Sequence, residues 1–189
     1  MKSIWILLAA LLTAGCFSPV SVNLTPRYDA RRSEVGAGKT VLLQVSDGRS
    51  ERDIGHRQHG LFPGSRLQLS RPIEDTVRLS ITDALQRKRF AVTTHGDAGA
   101  RLSIEVLEFR YQPRGAVGTR YLTTARLRAV ATSAAGTYSR IYTRADEDRE
   151  LIGSGGHFNA ARLSAILADT MRQMMADDAL IAILAAPAA

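Results

Sequence analysis

The sequence predicts an α+β domain in which helices cover one face of a mainly antiparallel sheet of about five strands. Apolar residues recur at helical spacing over two long stretches, near 72–88 and 159–176. Between these stretches, segments of alternating apolar and polar residues are joined by turn residues. The resulting order, β-α-β-β-β-β-α-α, places one helix after the first strand and two after the last.

The first strand is Thr40 to Ser46, rich in apolar and β-branched residues and closed by the turn dipeptide Asp47-Gly48. Residues 47–66 are polar, with Gly55, Gly60, Pro63 and Gly64, and read as one long loop. Pro72 stands at a helix start and the acids Glu74 and Asp75 follow it. Ile73, Val77, Ile81, Ala84 and Leu85 share a face, and Arg87, Lys88 and Arg89 close the helix at its negative end. Phe90 to Thr94 reads as a short strand. In the next strand Leu102, Ile104 and Val106 alternate with polar residues until Leu107 breaks the phase, which predicts a bulge near 107.

Residues 112–118 form a loop, and Thr119 to Thr132 is a strand with Ala125, Leu127, Ala129 and Ala131 on one side. Residues 134–137 make a hairpin turn into a strand from Tyr138 to Arg149, with Tyr138, Arg140, Tyr142 and Arg144 on one side. Gly153 to Gly156 breaks the chain and Asn159 can cap a helix carrying Leu163, Ile166, Leu167, Met171, Met174 and Met175 to about 176. A short helix, Asp178 to Leu184, closes the fold.

At the N-terminus Lys2 precedes nine apolar residues, Ile4 to Leu12, and then Thr13-Ala14-Gly15-Cys16. Charge, apolar run and small residues in that order are a secretory signal. As a helix the run extends only about 13 to 14 Å, under half of a bilayer's hydrocarbon core. Cys16 is the only cysteine, so it has no internal disulfide partner, and its place after two small residues resembles the bacterial lipobox, with Thr13 where leucine is usual. The expected organisation is a signal peptide over 1–15, a lipidated flexible tether over 16–39 and a single periplasmic α+β domain over 40–186. Acyl chains on Cys16 would hold the protein on a membrane. Phe17 is not the aspartate of an inner-membrane retention signal, so the periplasmic side of the outer membrane is expected.

The chain carries 25 Lys plus Arg against 18 Asp plus Glu, a formal charge of +7, and only Lys2, Lys39 and Lys88 are lysines. Arginines suit carboxylates and phosphates. Nucleic acid is not expected as a partner, because the basic residues are not interleaved with stacking aromatics. Anionic lipid or acidic cell-wall polymer fits an exported arginine-rich surface better.

Residues that could carry chemistry are few. His56, His59, His95 and His157 do not stand at metal-ligand spacing, and no metal or cofactor is expected. Gly153-Ser154-Gly155-Gly156 lacks the Lys-Ser/Thr ending of a P-loop and reads as a helix entry. No G-x-S-x-G elbow occurs, and Asp146, Glu147, Asp148 and Glu150 read as a charged strand end. The expectation is a non-enzyme, and the methionines read as core.

The mature chain resembles the YajG family of uncharacterised bacterial lipoproteins. Beyond Gly15-Cys16, the resemblance lies in VLLQVSDGR (41–49), LQRKRFAV (85–92), ARLSIEVLEFRY (100–111), ARLRAVATSAAGTYSRIY (125–142) and FNAARLSAILADTMRQMMAD (158–177). These are structural patterns, so the resemblance implies acylation of Cys16 and no catalytic or ligand-binding residue. The leading functional expectation is a binding or assembly module docking on an unidentified envelope protein or cell-wall component. Two alternatives stand beside it. One is a small-molecule binder or cryptic enzyme on the 47–66 loop, using Asp47, Arg49, His56 and His59; the other is cell-wall polymer binding through the arginine surface.

Overall fold

The structure is a computed structural model and describes residues 19–59, 62–114, 120–149 and 160–187. The elements run β1 (Val20–Val22), β2 (Thr40–Asp47), β3 (Gly55–His59), β4 (Phe62–Leu69), α1 (Ile73–Arg87), β5 (Ala91–Thr93), β6 (Ala100–Arg114), β7 (Arg120–Ser133), β8 (Gly136–Arg149), α2 (Ala160–Met175) and α3 (Asp178–Leu184). The fold is α+β, and the eight strands form one sheet that forks at β6. The five strands expected from the sequence make the main run, β5-β2-β6-β7-β8.

That run is mixed, which corrects the mainly antiparallel expectation. β2 pairs parallel with both β5 and β6, while β6-β7 and β7-β8 are antiparallel. The parallel pairs follow from α1, which carries the chain back so that β5 re-enters in the direction of β2.

The second correction concerns residues 47–66. They hold strand β3 and the start of β4, an antiparallel hairpin that joins β1 on one side and β6 on the other. Its sequence hides this because GHRQH and FPGSRLQL lack apolar alternation. The described apolar anchors are Ile54 and Leu67, both fully buried, with Leu69 packed against the core. The hairpin meets β6 at Gly55, opposite Tyr111. There Tyr111 N donates to Ile54 O at 2.5 Å, and a Cβ on Gly55, whose φ is +141°, would sit 1.8 Å from Tyr111 O. Only glycine permits that approach.

The third correction is the tether. From Val20 the chain is part of the domain: Val22, Leu24 and Ala30 enter the core, Thr25 N donates to Ser164 Oγ at 3.1 Å, and Gly36 N donates to Lys88 O at 2.9 Å. Within the expected tether of 16–39, the residues from Val20 onward therefore pack on the domain. Val20, Val22 and Leu24 alternate with polar residues, the pattern of a short extended piece, whereas Ala30 is a single apolar residue in a polar, turn-rich stretch that no periodicity announces.

The core lies between one face of the sheet and the three helices. It joins Leu102, Ile104, Phe109 and Leu127 to Val77, Ile81 and Leu85 of α1, to Leu163, Leu167 and Met171 of α2 and to Leu180 of α3. Met171, Met174 and Met175 are all buried, as expected of core methionines. Each fully buried large aliphatic side chain contributes about 1.5 to 3 kcal/mol of burial energy. The bulge sits at Leu107: Val106 pairs with Leu127 and Glu108 with Arg126, so one residue is passed over. It moves the buried positions from the even series ending at Val106 to Phe109. α1 carries Glu74 and Asp75 in its first turn as expected, with Pro72 one place earlier, at the cap.

Candidate functional site

A surface concavity of about 920 Å³ runs between strand β8 and helices α2 and α3. Strand geometry builds one wall, since Arg140, Tyr142 and Arg144 are two residues apart and share a face, which Tyr138 precedes. The other wall is helical and includes Asp169, Arg172 and Gln173 of α2 and Asp177 and Asp178 at the start of α3.

Asp177 organises this site. One carboxylate oxygen, Oδ1, caps α3 by accepting from Ala179 N at 3.0 Å and Leu180 N at 3.3 Å. The other, Oδ2, accepts from Tyr142 Oη at 2.7 Å, Tyr138 Oη at 3.0 Å and Arg140 Nη1 at 3.0 Å. The Arg140 guanidinium also lies over the Tyr142 ring, 5.5 Å from its centre. Burial alone pushes the Asp177 carboxyl up, but the donors Tyr142, Tyr138, Leu180 N–H and Arg140 together hold it below the usual carboxylate range. Tyr142 is pushed well above the usual phenol range by burial and by its bond to Asp177.

This arrangement binds a helix to a strand. A carboxylate accepting five hydrogen bonds is a poor proton acceptor for a further group, and a phenol shifted upward does not ionise near neutrality. Farther along the groove, Arg162 Nη2 donates to Asp146 Oδ2 at 2.5 Å, and Arg172 pairs with Asp169 on α2. The rest of the groove carries both signs of charge interspersed.

The sequence placed Tyr138, Arg140 and Tyr142 on one side of a strand but did not identify their acceptor. The signal was present: an aspartate directly before the apolar run DALIAIL is an N-cap pattern.

Of the 47–66 candidates, the structure brings Asp47 and Arg49 together and sets His56 apart from them. Asp47 and Arg49 form a two-bond ion pair, with both N–O distances 2.8 Å and the Arg49 side chain 6% exposed. The Arg49 hydrogen bond holds the Asp47 carboxyl below its ordinary range. His56 is exposed on β3 and lines a separate cleft with Arg66, Arg110 and Tyr111. The side chain of His59 lies outside the described residues, as do Cys16, His157, the 153–156 glycine stretch and Asn159. His95 is exposed and its Nδ1 lies 2.8 Å from Thr94 Oγ1. Among the described residues, no three His, Cys, Asp or Glu side chains are placed to hold a metal ion. No described helix is long and apolar enough to cross a membrane.

Comparison with known proteins agrees with this architecture. Protein XCC0632 from Xanthomonas campestris, of the DUF330 family, superposes with a TM-score of 0.58 at 15% identity, over 88% of this chain and 95% of its own. An uncharacterised protein gives 0.47 at 8% identity, over 84% and 96%, and a PelC dodecamer from Paraburkholderia phytofirmans gives 0.40 at 10%, over 78% and 96%. At these identities the first likeness speaks for the fold alone. No curated protein matches the sequence. A family model described as "Uncharacterized lipoprotein" matches residues 26–185, nearly the whole domain. The chain thus belongs to this uncharacterised lipoprotein family, the YajG-like family that its sequence resembles.

Proposed function

We propose that the protein is a lipid-anchored envelope lipoprotein, held by acyl chains on Cys16 on the periplasmic side of the outer membrane, and that it is a non-catalytic binding or assembly module. The observation that carries the anchoring is Gly15-Cys16 at the end of a short signal-like apolar run, in a chain of a lipoprotein family. The binding role draws on the groove beside β8. Its most buried polar groups are committed to holding α3 on the sheet, and its rim offers arginines and carboxylates to an envelope partner.

Intact mass and membrane fractionation of the wild type and Cys16→Ala test the anchor. Loss of residues 1–15, added acyl mass and sedimentation with outer membrane are expected for the wild type alone. An unmodified, soluble wild type would remove the anchor. Site-specific photocrosslinking from Arg144 in intact cells tests the module. A reproducible adduct with one envelope component is expected, and the absence of any adduct above a control site at Ala135 would sink the binding role.

A further inference from the structure

We infer that the end of the sheet carrying the β3–β4 hairpin rests against an anionic phospholipid leaflet, so that the domain stands on the membrane end-on. The inference rests on acylation of Cys16 and adds the orientation of the domain. Two observations carry it, one of chain length and one of charge.

Four residue steps separate Cys16 from Val20, where the chain first pairs with the sheet, and four extended residues span at most about 14 Å. Val20 is level with Leu67 on β4, Leu67 with Gly55 on β3, and Gly55 with Tyr111 on β6. β1 runs parallel to β4, which leads away from its own hairpin turn, so the N-terminal end of β1 points toward that turn. β6 continues past Tyr111 to Arg114 in the same sense as β3, and Arg114 pairs with Arg120 of β7. The hairpin, the end of β6 and the start of β7 therefore lie together at the anchored end. The β7–β8 turn at Ala134 and Ala135 lies at the other, separated by the length of β6, roughly 45 Å.

The anchored end is rich in arginine. Arg66 is 68% exposed and Arg120 48%, and Arg114 is exposed beside them. Carboxylates offset this end only in part: β8 ends there with Asp146, Glu147 and Asp148 in register with Thr123, Leu122 and Tyr121 of β7, while Arg66 to Asp53, Arg110 to Glu51 and Arg120 to Glu147 are long pairs of 3.6, 3.9 and 3.5 Å, and Arg114 makes no ion pair among the described residues. Such pairs exchange readily for lipid phosphates, which guanidinium groups bind with two hydrogen bonds. An end tethered within about 14 Å of an anionic surface stands within two Debye lengths of it, about 8 to 10 Å each, where the surface potential still acts.

The test uses the full acylated chain in vesicles. Acylation consumes the single native thiol, so Gln112→Cys and Ala135→Cys each introduce one labelling site. The vesicles are phosphatidylcholine with or without phosphatidylglycerol and carry a headgroup-linked quencher. With phosphatidylglycerol, a fluorophore at 112 is expected to lose most of its emission and one at 135 to keep it. The loss at 112 shrinks in pure phosphatidylcholine, at about 0.5 M salt, and in the Arg66→Gln/Arg114→Gln/Arg120→Gln variant. Quenching at 135 equal to that at 112 overturns the orientation. Quenching at 112 that ignores lipid charge overturns the arginine contact. An intact mass showing a free thiol at Cys16 instead overturns the anchoring reading, and this inference falls with it.

Discussion

Tyr142, buried on strand β8, donates its hydroxyl at 2.7 Å to Asp177, the residue that caps helix α3. One short bond thus ties the last element of the fold to the edge of the main five-strand run.

Removing either partner is expected to destabilise the domain to different extents. Tyr142→Phe loses one hydrogen bond to a charged group, a cost of about 1.5 to 3 kcal/mol. Asp177→Ala also removes the cap and leaves two tyrosine hydroxyls without their acceptor, for a loss of about 3 kcal/mol or more. Urea unfolding measures both. Equal effects from the two variants would show that the cap and the second tyrosine contribute nothing.

Asp177 and Asp47 both hold carboxyls below their ordinary range, Asp177 by its donors against the pull of burial and Asp47 by Arg49. A carboxylate depressed in the folded state adds stability that is complete above its unfolded value, near 3.9, and is lost as pH falls through the folded one. The urea midpoint is therefore expected to hold steady above about pH 5 and to drop below about pH 4. Asp177→Asn keeps a capping side chain and should flatten part of that acid slope. An acid slope parallel to the wild type would assign the dependence elsewhere.

Gly55→Ala is expected to be among the most damaging single-atom changes. The added methyl would overlap Tyr111 O at 1.8 Å in a backbone conformation of φ +141°. Gly38 has φ +73° with open space around it, so Gly38→Ala meets only backbone strain of about 1 kcal/mol. Amide exchange should show β3 and β4 opening in the Gly55 variant while β7 stays protected.

Arg89 follows α1 with φ +67°, the left-handed conformation in which glycine usually ends a helix. Phe90 N reaches back to Leu85 O at 3.1 Å and Arg89 N to Gln86 O at 2.9 Å. Arg89→Gly is expected to stabilise by about 0.5 to 1 kcal/mol, because its exposed pair with Glu34 is worth less than the relieved strain. A lower melting temperature for this variant would contradict that balance.

The elements legible in the sequence are those whose side chains report burial. Alternation at 102, 104 and 106, its slip at Leu107, and the period of Ile73, Val77 and Ile81 all follow from one face meeting the core. The β3–β4 hairpin was not legible, because backbone pairing defines it and its described apolar anchors are few, Ile54 and Leu67 in the core and Leu69 packed against it. Strand direction was hidden for a similar reason, since alternation is the same in parallel and antiparallel pairs. At the candidate site, the strand face of Tyr138, Arg140 and Tyr142 could be read locally. Its meeting with Asp177 spans 35 residues between Tyr142 and the cap, and local patterns carry no such pairing.

The short register of β1 bears on how the domain carries mechanical load. Any force transmitted from residue 16 enters the fold at Val20, along the axis of a strand whose three residues pair with Leu67, Gln68 and Leu69. Pulled from its N-terminal end, that ladder is sheared with its bonds loaded together, as is the bond from Ser70 N to Val22 O. The load that this ladder passes on reaches β4 and β3, whose registered pairing with β6 is the single pair Gly55 and Tyr111, while Val22, Leu24 and the bond from Thr25 N to Ser164 Oγ carry the rest into the core.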